Sequence, residues 1–131
     1  MKFTLPSHEQ TEYSSVLWHE SGTMPGVRYA TRRISLSQRI ELTKSVRELV
    51  LRNEFFKAGD TADQLEASIA DLLARKLYLE WGLMEIRGLT IDRQPATVEM
   101  LFEKGPESLT SEIVAAVQAE LGLTEQERKN S

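Results

Sequence analysis

The chain of 131 residues contains no cysteine, which excludes disulfides, thiol catalysis and cysteine-ligated zinc. It also lacks any apolar run near the ~18 residues that a membrane-crossing helix needs. The N-terminal stretch MKFTLPSHEQ has one lysine and no apolar centre like that of a signal peptide. These absences predict a cytoplasmic protein without a membrane anchor.

Motifs of common catalytic and cofactor sites are also missing. The two histidines, His8 and His19, lack metal-ligand spacing, and neither a glycine-rich phosphate loop nor a G-x-S-x-G motif occurs. Carboxylates are numerous, but on the predicted helices they alternate with lysine and arginine, as solvated faces do. We therefore predict no enzyme, no cofactor and no metal site. A pair of carboxylates brought together by the fold stays open at this point.

Charge is distributed unevenly, although the net charge is only −4. Residues 1–57 carry nine Lys/Arg and six Asp/Glu, a net of +3, and residues 58–131 carry seven and fourteen, a net of −7. Such a charge dipole favours head-to-tail self-association by electrostatic complementarity. The alternative is that two solvated surfaces simply differ in charge.

Two runs near the N-terminus have the composition of β-strands. They are SSVLWHE at 14–20 and GVRYATRRI at 26–34, and the loop between them contains Gly22 and Pro25. This pattern predicts a β-hairpin followed by helices.

The predicted class is mainly α with a small β component, in a single globular domain. Residues 1–34 are assigned to the β-hairpin and extended region, and residues 35–131 to a helical domain. The first ~12 residues are expected to be disordered, as chain termini often are.

The first predicted helix begins at Ser35, which forms a capping box with Gln38, and Gly59 is its expected C-cap. Apolar residues then recur at helical spacing, which predicts a buried stripe. The stripe consists of Leu36, Ile40, Val46, Leu49, Val50 and Phe56.

The second predicted helix begins at the N-cap Thr61 and runs to Ile86 or Arg87. A helical wheel divides its apolar residues into two stripes, which implies burial on both sides. One stripe contains Leu65, Ile69, Leu72, Leu79, Leu83 and Ile86, and the other contains Ala70, Leu73, Leu77, Trp81 and Met84. Either neighbouring helices cover both stripes or the second one binds another chain.

We therefore take Leu73, Leu77, Trp81 and Met84 as candidate protein-interface residues, because tryptophan and methionine are enriched at interfaces. The alternative is that the same residues belong to the core. Gly82 lies among them, and it indicates either a close approach of two helices or fraying near the helix end.

Turn and cap signals divide the rest of the chain into short helices. Pro95 marks a turn, Thr97 caps a short helix that ends near Gly105, and Pro106 begins another. That helix carries Leu109, Ile113, Val117 and Leu121 at helical spacing, and Gly122 ends it. Thr124 and Glu127 form a capping box for a final short helix.

Arg28, Arg32, Arg33 and Arg39 form a basic cluster that could contact phosphates. They define the rival hypothesis, a small regulatory protein that binds nucleic acid. The overall balance is acidic, with a pI of about 5.3, whereas nucleic-acid domains are usually basic. The simpler interpretation is that Arg32 and Arg33 flank a strand-to-helix junction or pair with acidic residues of the second half.

Three segments carry a family resemblance: the RRISLSQRIEL entry to the first helix, LEWGL in the second, and ERKNS at the end. In this order, over about residues 26–131, the chain resembles the tail assembly chaperones encoded in the tail-gene region of long-tailed phages and prophages. The resemblance implies a non-enzymatic, mainly helical protein of the bacterial cytoplasm. Its partners would be the tape measure protein, whose apolar helices it keeps from aggregating, and the major tail tube protein.

The resemblance also implies self-association and, often, a longer second product made by ribosomal frameshifting. Lys129 and Asn130 could be encoded AAA-AAC, part of a slippery heptamer, or could belong to an ordinary charged tail. A structural subunit that stays in the finished tail is a further alternative.

Overall fold

The computed structural model describes residues 10–122 of the chain. The predicted mainly α class with a minor β component is confirmed. Of the first ~12 residues, which were expected to be disordered, residues 1–9 lie outside the described residues, as do the final helix from Thr124 and the Lys129–Asn130 pair. In chain order the elements are β1 (Val16–Glu20), β2 (Arg28–Arg32), α1 (Leu36–Phe56), α2 (Thr61–Gly82), β3 (Leu83–Arg87), β4 (Thr90–Ile91), β5 (Gln94–Pro95), α3 (Val98–Lys104) and α4 (Glu107–Glu120).

The predicted N-terminal hairpin is confirmed by the antiparallel pairing of β1 with β2, in which Trp18 lies opposite Ala30. β3 adds to the other edge of β2 and gives a three-stranded sheet in the order β1-β2-β3. Ala30 pairs with Glu85 and Thr31 with Leu83, so the register leaves Met84 without a partner, as in a β-bulge. The sheet thus joins the hairpin to a strand from the middle of the chain.

α1 begins as predicted, with both hydrogen bonds of the capping box between Ser35 and Gln38 at 3.2 Å. The expected C-cap was wrong, because the helix ends at Phe56 and its C-cap is Lys57, whose amide donates to the Asn53 carbonyl. Gly59 instead donates to Phe56 in a tight turn and has no positive φ.

The predicted stripe of α1 is only partly buried. Leu42 and Val46 are buried, whereas Leu36 and Ile40, which were expected in the core, are exposed to solvent. α1 packs against α2, which covers the face of α1 opposite to Leu36 and Ile40.

α2 differs from the prediction at both ends. Its N-cap is Asp60 rather than Thr61, since the Asp60 carboxylate accepts from the Asp63 amide at 2.9 Å. The helix stops at Gly82, so the expected continuation to Ile86 or Arg87 was wrong. Residues 83–87 are extended instead, because the edge of β2 offers them a ladder of backbone partners.

Gly82 marks both the end of α2 and a close approach between helices. A Cβ atom at this position would lie 2.4 Å from Cγ2 of Val117 on α4. Glycine is therefore required by packing, and it lets the backbone of α2 meet the side chains of α4 directly.

The remaining short elements follow their sequence signals, except that Pro95, which was expected to mark a turn, lies in β5 opposite Thr90. Asp92 and Arg93, both with positive φ, form the turn between β4 and β5. Thr97 caps α3 by accepting from the Met100 amide at 3.1 Å, and Gly105 is its C-cap. α4 ends at Leu121 followed by Gly122 with φ +76°, as predicted.

The core lies between α4, the C-terminal half of α2, the N-terminal part of α1, and the inner face of the sheet. The predicted row of α4 is fully buried: Leu109, Ile113, Val117 and Leu121. α2 buries mostly small residues against its neighbours, among them Ala67, Ala70 and Ala74. Because alanines occupy the buried face in this part of α2, the large apolar side chains there lie on the other side of the helix.

Candidate protein-binding surface

The N-terminal half of α2 exposes its large apolar residues. Leu65, Ile69 and Leu72 are 62%, 49% and 54% exposed, and Leu73 beside them is 40% exposed. We call these four residues the α2 row. They follow the i, i+4, i+7, i+8 spacing of one helix face, on the side away from the buried alanines. The first of the two apolar stripes predicted for α2 was expected to be buried. It is buried only from Leu79 onward.

α1 exposes a second apolar row on its outward face. Leu36, Ile40, Leu51 and Phe55 are exposed, and we call them the α1 row. Scattered single apolar residues on a surface are ordinary, but a contiguous row such as the α2 row marks an interaction surface. The helical hairpin of α1 and α2 thus has an apolar face on each helix besides the one buried between them.

A groove of about 260 Å³ continues the α2 row toward α3. Leu72, Leu101 and Phe102 contribute apolar walls, and the Lys76 ammonium lies 4.9 Å from the centre of the Phe102 ring. Such a groove accommodates one apolar side chain from a bound helix.

The predicted interface residues divide into two pairs. Leu73 and Met84 are exposed, at 40% and 44%, whereas Leu77 and Trp81 are half-buried and pack on the core. Only Leu73 belongs to the α2 row, and Met84 lies on β3 beyond the helix end. Leu77 and Trp81 therefore pack mainly against the core and present only part of their surface to solvent.

The predicted basic residues are distributed over several partners within the fold. The Arg32 guanidinium donates from Nε to the Trp81 carbonyl at 3.0 Å and lies 5.4 Å from the Trp81 ring centre. Arg39 donates to the Leu121 carbonyl, and Arg33 lies over Tyr13 at 5.5 Å. This placement joins one predicted basic residue, Arg32, to one predicted interface residue, Trp81.

Trp18 lies between two guanidinium groups on the outer face of the sheet. Arg28 of β2 and Arg87 of β3 are 5.0 and 4.7 Å from its ring centre. Arg87 also donates to Glu85 at 2.5 Å. Arg28 is thus engaged in a cation–π contact with Trp18.

Glu112 of α4 holds the loop between β1 and β2. Its Oε1 accepts hydrogen bonds from Ser21 Oγ at 2.9 Å, Thr23 N at 3.1 Å and Thr23 Oγ1 at 2.7 Å. Its Oε2 accepts from Gly22 N at 3.1 Å and from the Tyr29 hydroxyl at 3.0 Å. We call this arrangement the Glu112 clamp. The partners are about 90 residues apart in sequence, and no local pattern could have revealed them.

The clamp strongly favours the ionised form of the carboxyl. Burial alone would raise the pKa of Glu112, but hydrogen bonds from Thr23, Gly22, Ser21 and Tyr29 outweigh it and lower this pKa from 4.5 to about 2. Burial and the bond to Glu112 raise the pKa of the Tyr29 hydroxyl. Neither group is matched to proton transfer near neutral pH, so the clamp acts on structure.

His19 packs beside the clamp, with its ring stacked 4.9 Å from that of Tyr29 and Nε2 2.8 Å from Thr31 Oγ1. Burial lowers the pKa of His19 below 6.5, although Glu112 and Glu120 act in the opposite direction. We expect His19 to titrate below pH 6.5 in the folded protein, as followed by its ring proton chemical shifts. Because the unfolded chain binds this proton more readily, native stability decreases as pH falls below 6.5. A His19→Gln variant should lose that part of the pH dependence, and a ring that titrates above 6.5 would contradict the expectation.

Within residues 10–122, no cluster of three or more histidine, aspartate or glutamate side chains has the arrangement of a metal site. No helix in the same range has the length and apolarity to cross a bilayer. Comparisons of the chain with protein-family models, curated proteins and solved structures found no match.

Proposed function

We propose that this protein is a non-enzymatic tail assembly chaperone that binds helices of a tape measure protein reversibly through the α2 row. One observation carries the proposal. α2 buries alanines and exposes Leu65, Ile69 and Leu72, the reverse of what the stability of an isolated domain favours. An exposed apolar row of helical spacing is the surface that an amphipathic client helix needs.

The adjoining groove adds to the fit between chaperone and client. A client helix that packs along the α2 row would place an apolar side chain between Leu72 and Phe102. Such an arrangement shields the apolar face of the client from aggregation without any covalent chemistry. Recruitment of the major tail tube protein, action in the cytoplasm of a bacterial host and self-association belong to the same proposal.

The proposal is tested by co-expression with the tape measure protein, tagged on the client only. Chaperone action predicts that this chain co-purifies with the client and that the client is soluble only in its presence. A soluble client that never retains the chain would refute the proposal. Absence of the chain from finished particles would separate a chaperone from a structural tail subunit.

Replacing Ile69 and Leu72 with Ala should weaken client binding by about tenfold or more, equivalent to ~1.4 kcal/mol. Both side chains are about half exposed, so the stability of the free protein should change by only about 0.5 kcal/mol. Isothermal titration with a client segment and thermal unfolding measure the two effects. The control is Tyr13→Ala, which removes a 67% exposed aromatic side chain outside both rows and should leave client affinity unchanged.

The nucleic-acid hypothesis receives no support from the placement of the arginines. Arg28, Arg32, Arg33 and Arg39 each lie on an aromatic ring or carbonyl of the same chain. Binding to duplex DNA at low salt, with the steep salt dependence of phosphate contacts, would revive it.

A further inference from the structure

The outward faces of α1 and α2 carry charges of opposite sign among their apolar residues. On α1, Lys44 and Arg47 occupy the middle of the α1 row, and both are exposed. The positions 36, 40, 44, 47, 51 and 55 follow the 4-4-3-4-4 spacing of a single helix face. The centre of the α1 row is therefore basic, and its two ends are apolar.

On α2, two acidic residues border the α2 row. Glu66 and Glu80 lie seven residues before and after Leu73, which places them on the same side of the helix two turns away in each direction. Both are exposed. Two cations lie close to the row, and each has a partner within the fold: the Lys76 ammonium lies over the Phe102 ring, and Arg75 donates to Ser111 Oγ at 2.7 Å.

None of these four charged residues forms an ion pair within residues 10–122. Lys44 and Arg47 are thus available to a carboxylate from outside the described fold, and Glu66 and Glu80 to a cation. We propose that the α1 row of one copy of this chain docks on the α2 row of a second copy, with Lys44 and Arg47 facing Glu66 or Glu80.

The signs of the charges select this heterologous contact over the two symmetric ones. An antiparallel α1–α1 contact about a twofold axis would bring Lys44 and Arg47 of both copies together. An antiparallel α2–α2 contact would place Glu66 of one copy near Glu80 of the other. Like charges in an apolar contact are destabilising, whereas the α1–α2 contact pairs opposite charges. Each copy then has one row of each kind, and the contact repeats into a ring or a filament.

The test uses two charge-reversed variants of the full chain. One carries Lys44→Glu and Arg47→Glu, and the other carries Glu66→Lys and Glu80→Lys. Sedimentation velocity over a concentration series should show that the wild type associates and that each variant alone associates at least about tenfold more weakly. An equimolar mixture should associate again, because the reversed α1 row of one variant complements the reversed α2 row of the other.

Each other outcome would overturn the inference. If the wild type stays monomeric up to its solubility limit, the two rows do not bind a second copy of the chain. Loss of association in the α1 variant alone would indicate a symmetric α1–α1 contact, and loss in the α2 variant alone a symmetric α2–α2 contact. A mixture that remains monomeric would show that the two rows do not meet.

Matched controls change the net charge by the same amount outside both rows. Lys57→Glu with Lys104→Glu controls the first variant, since the ion pairs of these lysines with Glu54 and Asp92 are exposed and contribute little to stability. Glu12→Lys with Glu103→Lys controls the second. All these positions are exposed, so circular dichroism should show the native helix content in every variant. The controls are expected to associate as the wild type does.

This contact names the surfaces of the self-association that the proposed function includes, and a consequence for client binding rests on the same proposal. A client helix and a second copy use the same α2 row, so excess client should dissociate the assembly. Self-association is measured without client and client capture with the tagged client, so each can fail while the other stands.

Discussion

Replacing Glu112 with Gln is expected to lower the free energy of unfolding by about 1.5–3 kcal/mol, the range for hydrogen bonds to a charged group. The amide retains one acceptor oxygen, but its NH₂ group would replace the oxygen that now accepts from Gly22 and Tyr29. The Gly22 amide cannot accept a hydrogen bond from this NH₂ group, and the Tyr29 hydroxyl would have to turn its proton away to do so. The loop between β1 and β2 should then separate from α4. Urea unfolding and amide exchange at Gly22 and Thr23 measure both effects.

The same variant should change the response to acid. The pKa of Glu112 is lowered from 4.5 to about 2 in the folded state, so its contribution is complete above pH 4.5 and is lost as pH falls toward 2. At ~1.4 kcal/mol for each unit by which the pKa is lowered, the upper limit is about 3.5 kcal/mol, which solvent screening at a partly exposed carboxyl reduces to about 2 kcal/mol. The stabilities of wild type and Glu112→Gln should therefore converge between pH 4.5 and 2.

Glu103→Gln is the control, since Glu103 is exposed and forms no ion pair within the described residues. It should leave both the stability near neutral pH and the acid response nearly unchanged. A stability difference between wild type and Glu112→Gln that is constant from pH 7 to 2 would show that the carboxylate charge has no special role.

Local signals in the sequence predicted the parts of the fold that depend on a few neighbouring residues. The capping box at Ser35, the cap at Thr97 and the stop at Gly122 each satisfy backbone groups within one helical turn, and all three are present. The short apolar segment 83–87 was assigned to a helix, because such a run is compatible with helix and strand alike. The segment is a strand because it pairs with β2, which lies more than 50 residues earlier in the chain.

The candidate surface could be predicted only in part. The wheel correctly showed that α2 has more apolar surface than one neighbour covers, but it could not show which part stays exposed. The small side chains of Ala67 and Ala74 let α2 pack close to its neighbours, and this turned Leu65 and Ile69 outward. The Glu112 clamp could not be predicted for another reason. Its partners are about 90 residues apart in sequence and come together only in the folded chain.

Introducing a side chain at Gly82 is the second large expected effect. In Gly82→Ala the new Cβ would lie 2.4 Å from Val117 Cγ2 and 2.7 Å from Cγ1. Val117 is fully buried, so its side chain cannot turn toward solvent, and α2 must move away from α4. Overpacking of this kind costs about 1–3 kcal/mol. Guanidinium unfolding should show the lower midpoint with an unchanged slope.

The matched control is Gly22→Ala, because a Cβ at Gly22 meets nothing within 4 Å and the residue has no positive φ. It should change stability by only about 0.5 kcal/mol. The close approach itself is tested by adding Val117→Ala, which alone should cost about 2 kcal/mol through the cavity it leaves. Since the Gly82→Ala methyl group would occupy part of that cavity, the double variant should be more stable than the sum of the single effects predicts, by about 1–2 kcal/mol. Strict additivity would mean that α2 and α4 do not meet at Gly82, and that the glycine serves only to end the helix.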